Sequence, residues 1–410
     1  MNAGKKRPEE RNPGVLARLG VNRAVLALAI ARMADGLGSS VLIIIIPLYV
    51  ARLPSPDFPF PTPVLIGLLI ALYGIVNVLT QPLAGALSDR VGRRKAFIQA
   101  GLLVMAASTL AFIAAERYRD LIVIRAFQGI GFALTITASM AVLAAVTDRR
   151  TRGAAMGVYA TFRMIGFAIG PLVGGFLVVH GGFESAFLAA AVLIVAAMIC
   201  VQVWVEDPQR NAGPPAPRPD LARQLLSPGL LGLGVAMFVM AADIAMMATL
   251  ENEFNARLGQ TAIGFGLAFS ALTGSRLLFQ IPLGSLSDRV GRRPLVIAGL
   301  LVLAPATATL GLVATTVQLV GARFAQGVAT AAVAAPAFAM GADLSWEGGE
   351  ARQLSVLTMG FGLGIAAGPL ISGFLSLHGF ELPFLVGAAM ALAAAGVVWR
   401  WVPETVDREL

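Results

Sequence analysis

The sequence predicts an all-α membrane protein, with twelve transmembrane helices in two six-helix bundles related by a pseudo-two-fold axis along the membrane normal. Three observations predict it. Of 410 residues, 57% are hydrophobic and 13% charged, with a mean hydropathy of +0.79; a soluble domain carries about 45–50% apolar residues. The apolar residues gather into runs that reach the roughly 20 residues a helix needs to cross a bilayer. Landmarks in the second half of the chain repeat those of the first at a nearly constant offset, so the chain should consist of two similar halves.

Taken in order, the runs cover 23–51, 63–87, 95–115, 120–147, 154–179 and 183–205, then 228–252, 261–286, 294–315, 317–344, 353–377 and 380–402. The first is too long for the roughly 7–15 apolar residues of a signal peptide, so it reads as a retained helix. Two connections are long and proline-rich. One is 52–62 and the other 206–227, a linker that divides the runs six and six. The expected units are an arm (1–22), a first bundle (23–205), the linker (206–227), a second bundle (228–402) and a tail (403–410).

Sorting the 31 Lys and Arg residues by loop sets the orientation. The arm, the even-numbered loops, the linker and the tail hold 22 of them, the opposite loops hold Arg52, Arg117, Arg119 and Arg257, and five fall inside runs. Positive residues mark the cytoplasmic side, so both termini are expected there, in the inner or plasma membrane of a cell. The net charge of +8 therefore serves orientation and not nucleic acid. A single cysteine, Cys200, excludes an internal disulfide and a thiolate metal cluster. His180 and His378 precede glycines at matching places and read as interfacial. There is no Walker loop, nucleophile motif or polar loop large enough to house one, so an enzyme is not expected and no cofactor is implied.

The repeat is densest in two polar loops. Gly85, Leu87, Asp89, Arg90, Gly92, Arg93, Arg94 and Lys95 recur as Gly284, Leu286, Asp288, Arg289, Gly291, Arg292, Arg293 and Pro294. Arg125-x2-Gln128-Gly129 recurs as Arg323-x2-Gln326-Gly327, and Gly166-x3-Gly170-Pro171 as Gly364-x3-Gly368-Pro369. Six runs per half is an even number, so both halves enter from the same side.

With these motifs the chain resembles the major facilitator superfamily over essentially all twelve runs. The resemblance implies alternating access, with the two halves rocking around a central cavity. It also implies that the loop at Gly85 to Arg94 packs against the other half on the cytoplasmic side, in a charged cluster around Asp89 that breaks during turnover. Lys95 closes the first copy and Pro294 the second, so the Asp89 cluster is expected to be the stronger latch. Gly157, Gly166, Gly170, Pro171, Gly174 and Gly175 resemble the fifth-helix motif of the family's proton-exchanging exporters. The alternative for this stripe is a packing seam without directional meaning, since small residues at four-residue spacing let helices approach closely. Arg125 resembles the fourth-helix arginine linked to proton transfer.

A charge at the bilayer centre costs at least about 2.5–3.5 kcal/mol, so each should face a cavity or a partner. Arg32 and Asp35 lie three residues apart on one helical face near the midplane, and pair. The pair reads as a substrate-linked proton site, with a permanent interhelical salt bridge as the alternative. Asp243 is the second candidate carboxylate. Glu251 on its face suits an outer gate, and Glu253 is expected to be solvated. Arg163 lies one turn before Gly166. Arg276 stands where the first half has Asn77, and Gln280 matches Gln81. Five intramembrane arginines against two deep acids leave an excess of positive charge that suits an anionic or zwitterionic amphiphile; the alternative is arginines that snorkel to headgroups.

The expected function is proton-coupled export of an amphiphilic small molecule, the partners being that substrate, protons and membrane lipid, with the protein a monomer. Export or flipping of lipids or organic anions, and proton symport, are alternatives. From a different class, a membrane receptor would bind without moving its ligand.

Overall fold

The computed structural model describes residues 22–55, 58–147, 152–207, 227–344 and 350–406, with backbone alone at 89, 152–154 and 350–353. The expected arm, nearly all of the linker and half of the tail lie outside these residues, as does the side chain of Asp89.

Successive helices are α1 (Arg23–Val50), α2 (Thr62–Val91), α3 (Arg94–Ala111) and α4 (Tyr118–Val146). Arg152–Trp204 follows, hydrogen-bonded as one helix but broken at Gly182, where φ is +74°. Glycine alone adopts this backbone freely, so the expected connection between the fifth and sixth runs shrinks to one residue. The break divides the stretch into α5 (152–181) and α6 (183–204). The second half comprises α7 (Pro228–Leu258), α8 (Ala262–Val290), α9 (Arg292–Thr309), α10 (Thr316–Asp343), α11 (Glu350–Leu375) and α12 (Leu382–Trp401). Among the described residues, ten helices are long and apolar enough to cross a membrane. The break at Gly182 makes one of them two crossings, and the 18-residue α9 supplies the twelfth.

Helix ends follow local chemistry. Asn22, Ser227 and Thr315 accept hydrogen bonds from the backbone N–H three residues on, as N-caps do, and prolines open α2, α7 and α12. Near its outer end α7 tightens into a 3₁₀ turn over Met247–Leu250 before Glu251. Such a turn advances about 120° per residue instead of about 100°, so Glu251 is rotated away from the face it would share with Asp243 on an uninterrupted helix.

In the first bundle α1 lies along α5, and in the second α7 lies along α11. These seams are glycine-lined and equivalent. Met33, Gly36 and Leu37 surround Gly166 as Phe238, Ala241 and Ala242 surround Gly364, while Gly170 meets Leu37 and Ser40 and Gly368 meets Ala242. The stripe over Gly166, Gly170 and Gly174 is therefore packing within one bundle.

Four of the close approaches between the two bundles form two symmetric pairs. Gly67 packs on the Pro369 carbonyl and Gly266 on that of Pro171; Gly373 packs on Pro63 and Gly175 on Ala262. All lie at the end of the molecule away from the repeated loops, where Asn252 also donates to the Pro47 carbonyl across the seam (3.0 Å). Toward the repeated loops, Gly85 and Gly157 face open space. Among the described residues, the symmetric close approaches between the bundles thus gather at one end.

Candidate functional site

Each repeated loop is tied into its own bundle. Gly92 (φ +73°) and Gly291 (φ +103°) make the turns, and a carboxylate arriving from the far end of the bundle caps the next helix. Asp207 accepts from Lys95 N (2.7 Å). Glu404 accepts from Arg292 N and Arg293 N (3.1 Å each), which suits the positive end of a helix. Arg292 also bonds Asp288 (3.0 Å) and pairs with Asp343. Arg90 and Arg93 are exposed, and Arg94 donates to the Ala141 carbonyl (3.1 Å). The partners named here come from the loop's own bundle, while the Asp89 cluster that the resemblance implies lies outside the described side chains. Asp207 and Glu404 were missed by sequence reasoning. Their signal was available, because each acid closely follows the last apolar run of its half.

Between the bundles lies a central cavity of about 230 Å3. All six helices of the first bundle, α1 to α6, line it from one side and α7, α8 and α11 from the other. Of the predicted site residues, Arg125, Arg163, Arg276 and Pro171 reach its wall. Arg32 and Asp35 lie just behind it, joined by a 2.8 Å bond and only 6% and 1% exposed. Ser39 donates to the same carboxylate (3.4 Å), and the Arg32 guanidinium lies over Phe132 (4.9 Å) and Tyr159 (5.5 Å). Gly36 packs directly on Arg163, which sets Arg163 beside this pair.

A polar chain runs through each bundle at repeat positions. Arg125 donates to Gln128 (3.0 Å), Gln128 to Thr109 (3.2 Å), and Thr109 to the Met105 carbonyl (2.8 Å). Arg323 donates to Gln326 (2.7 Å), Gln326 to Thr307 (2.9 Å), and Thr307 to the Asp243 carboxylate (3.3 Å). The two chains differ at their ends because, in the register set by the glycine seams, Asp243 occupies the place of Gly38. Asp243 is 1% exposed and sits against Gly387, with one carboxylate oxygen unbonded. Thr109 and Thr307 had escaped notice; hydroxyls in apolar helices carry no signal until their partners are known.

Glu251 lies at the closed end, fully buried with both oxygens unbonded. Glu253 was expected to be solvated, but it is half-buried and one of its oxygens also lacks a partner. Outside the membrane-spanning segments, Glu381 pairs with Arg257 (3.1 Å), and its own backbone N–H together with that guanidinium holds its carboxyl below the usual range. Gln81 donates to Asn77 (3.0 Å), while the side-chain oxygen of the repeat mate Gln280 has no partner.

The Major Facilitator Superfamily profile matches residues 28–254 and 229–410, nearly the whole chain. The chain belongs to the Major Facilitator Superfamily. Members of this family are transporters and not enzymes. The superfamily fold is seen directly in a bacterial homolog of the human lysosomal transporter Spinster, in an inward-facing and occupied conformation. That structure superposes with a TM-score of 0.76 over 92% of this chain and 95% of its own, at 15% identity. Among curated relatives, the synaptic vesicular amine transporter of Bos taurus is 27% identical over 321 residues, 75% of this chain and 60% of the relative. Multidrug resistance protein 1 of Bacillus subtilis (strain 168) is 33% identical over 147 residues, 36% of this chain and 37% of the relative. The chain thus matches about three fifths of the length of its amine-transporter relatives.

Proposed function

We propose that this superfamily transporter exports an amphiphilic small molecule in exchange for protons, by alternating access, as a monomer in the cell's inner or plasma membrane. The observation that carries the reading is the cavity at the bundle interface, sealed on one side by the symmetric glycine–proline seam, with no such seam among the described residues on the other. With the termini and repeated loops in the cytoplasm, as the charge distribution argues, the arrangement is inward-facing. Substrate enters from the cytoplasm, and release requires the seam to open while the loop ends close.

Proton coupling falls to the buried carboxylates. Asp35 is first in rank, since protonation would release Arg32 and deprotonation would restore the pair. Asp243 comes second, at the end of the chain of hydrogen bonds from Arg323. Glu251 serves the outer gate: it is buried at the closed end, and opening of the seam would expose it to water. The names of the amine transporter and the multidrug resistance protein support small amphiphiles as substrates of this chain.

Reconstituted vesicles with a trapped pH indicator test the proposal. Substrate movement should drive protons the opposite way, and Asp35→Asn should uncouple the two fluxes. Substrate transport by Asp35→Asn with undiminished proton counterflow would remove Asp35 from the role, and transport indifferent to collapse of the gradient would remove proton exchange altogether.

A further inference from the structure

The intramembrane arginines fall into two kinds. Arg125 and Arg323 are repeated in both halves, and each is held by a glutamine at 3.0 or 2.7 Å. Arg32 is not repeated, but Asp35 neutralises it. Arg163 and Arg276 break the repeat: Arg163 stands where the second half has Phe361, and Arg276 where the first has Asn77. Both line the cavity, one from each bundle. Neither has a hydrogen bond or ion pair among the described residues, and the Nε atom of each is buried without a partner. Aromatic faces lie near both, Phe167 at 4.5 Å and Phe132 at 5.9 Å from the Arg163 guanidinium and Phe361 at 5.8 Å from that of Arg276.

No Asp or Glu among the described residues lines this cavity. Asp35 is taken by Arg32, Asp243 faces Thr307 and Gly387, and Glu251 lies at the closed end. Two guanidinium groups in a largely apolar wall, always charged and, among the described residues, bonded to no carboxylate, are costly unless something pairs with them. Packing alone does not require them, since the repeat mates Phe361 and Asn77 fill the same positions without charge.

Resting on the transporter reading above, we propose that the cavity is a seat for an anionic amphiphile, whose carboxylate or phosphate monoester pairs with Arg163 and Arg276 while its apolar body lies on Phe167, Phe269 and Phe361. Guanidinium suits these oxyanions because it offers paired N–H donors. The volume of about 230 Å3 falls just below that of drug-sized pockets, roughly 300–1,000 Å3, and favours a compact body. Because each bundle supplies one arginine, the anion bridges the halves.

The test is equilibrium binding to the purified full chain in neutral maltoside micelles, using one apolar body with three headgroups: 4-phenylbutyrate, 4-phenylbutylamine and 4-phenylbutanol. A lipid arm compares lysophosphatidate with lysophosphatidylcholine and separates a lipid source of the oxyanion from a soluble one. At least one anionic probe should bind tenfold or more tighter than its cationic, neutral or zwitterionic counterpart. Arg163→Gln and Arg276→Gln should each weaken that probe five- to fifty-fold without weakening the amine, and Arg→Lys should retain part of the binding. The proposal is overturned if neither anion binds, if the amine binds as tightly as the carboxylate and lysophosphatidylcholine as tightly as lysophosphatidate, or if both Gln variants bind the anion like the parent. Vesicle flux separates this from the transport reading. An anion that binds but never crosses leaves the seat and removes the transporter, whereas proton-coupled movement of the amine without anion binding does the reverse.

Discussion

Replacing Gly266 with valine should unlock the closed end. A Cβ at position 266 would lie 2.8 Å from the Pro171 carbonyl carbon and 3.3 Å from Leu172 Cα, where ordinary contact begins at 3.4 Å. The opposing atoms are backbone, which cannot rotate aside, so α5 and α8 must part by at least about 0.6 Å. Overpacking of this kind costs about 1–3 kcal/mol. The cost falls only on the arrangement in which the seam is shut, so the population with an open seam should rise by about 5- to 160-fold. The assay is labelling of Ile43→Cys, on the cavity wall, in a Cys200→Ser background. An impermeant maleimide is applied to sealed vesicles from the face opposite the repeated loops. Gly67→Val, which meets the Pro369 carbonyl carbon at 3.0 Å, should act in the same direction. Gly396→Val on α12, with open space around it, should change nothing. Unchanged labelling in Gly266→Val, or equal acceleration by Gly396→Val, would refute the seam as the closure.

Other outcomes follow from single contacts. Arg32→Met leaves Asp35 buried without its cation and should lower stability by about 3–5 kcal/mol, whereas the double variant Arg32→Met/Asp35→Leu should recover most of it in a thermal melt. Glu404→Ala and Asp207→Ala remove helix caps, and each should cost about 0.5–2 kcal/mol, seen as faster hydrogen exchange over the first turn of α9 or α3 respectively. Thr307→Val cuts the chain between Gln326 and Asp243 and should impair proton-coupled flux more than Thr109→Val, whose chain ends on a backbone carbonyl; equal effects in vesicles would remove the distinction.

Twelve crossings, the division into halves and the repeat were legible in the sequence, because each depends on local composition or on spacing along the chain. The Arg32–Asp35 pair was legible for the same reason, three residues being one helical turn. The seam was only half visible. Pro171 and Pro369 stood out as a repeated pair, but Gly67 and Gly266, on which they close, look like any glycines in apolar helices. What closes on what depends on how two bundles lean, and no local pattern encodes that. The same limit hid Thr109 and Thr307, and the caps from Asp207 and Glu404, whose partners lie 19 residues away or more than 100. A count of charges could show that arginines outnumber acids in the membrane. Only the tertiary structure decided which of them are satisfied, since a guanidinium is neutralised by what stands within a few ångströms and not by the composition of its helix.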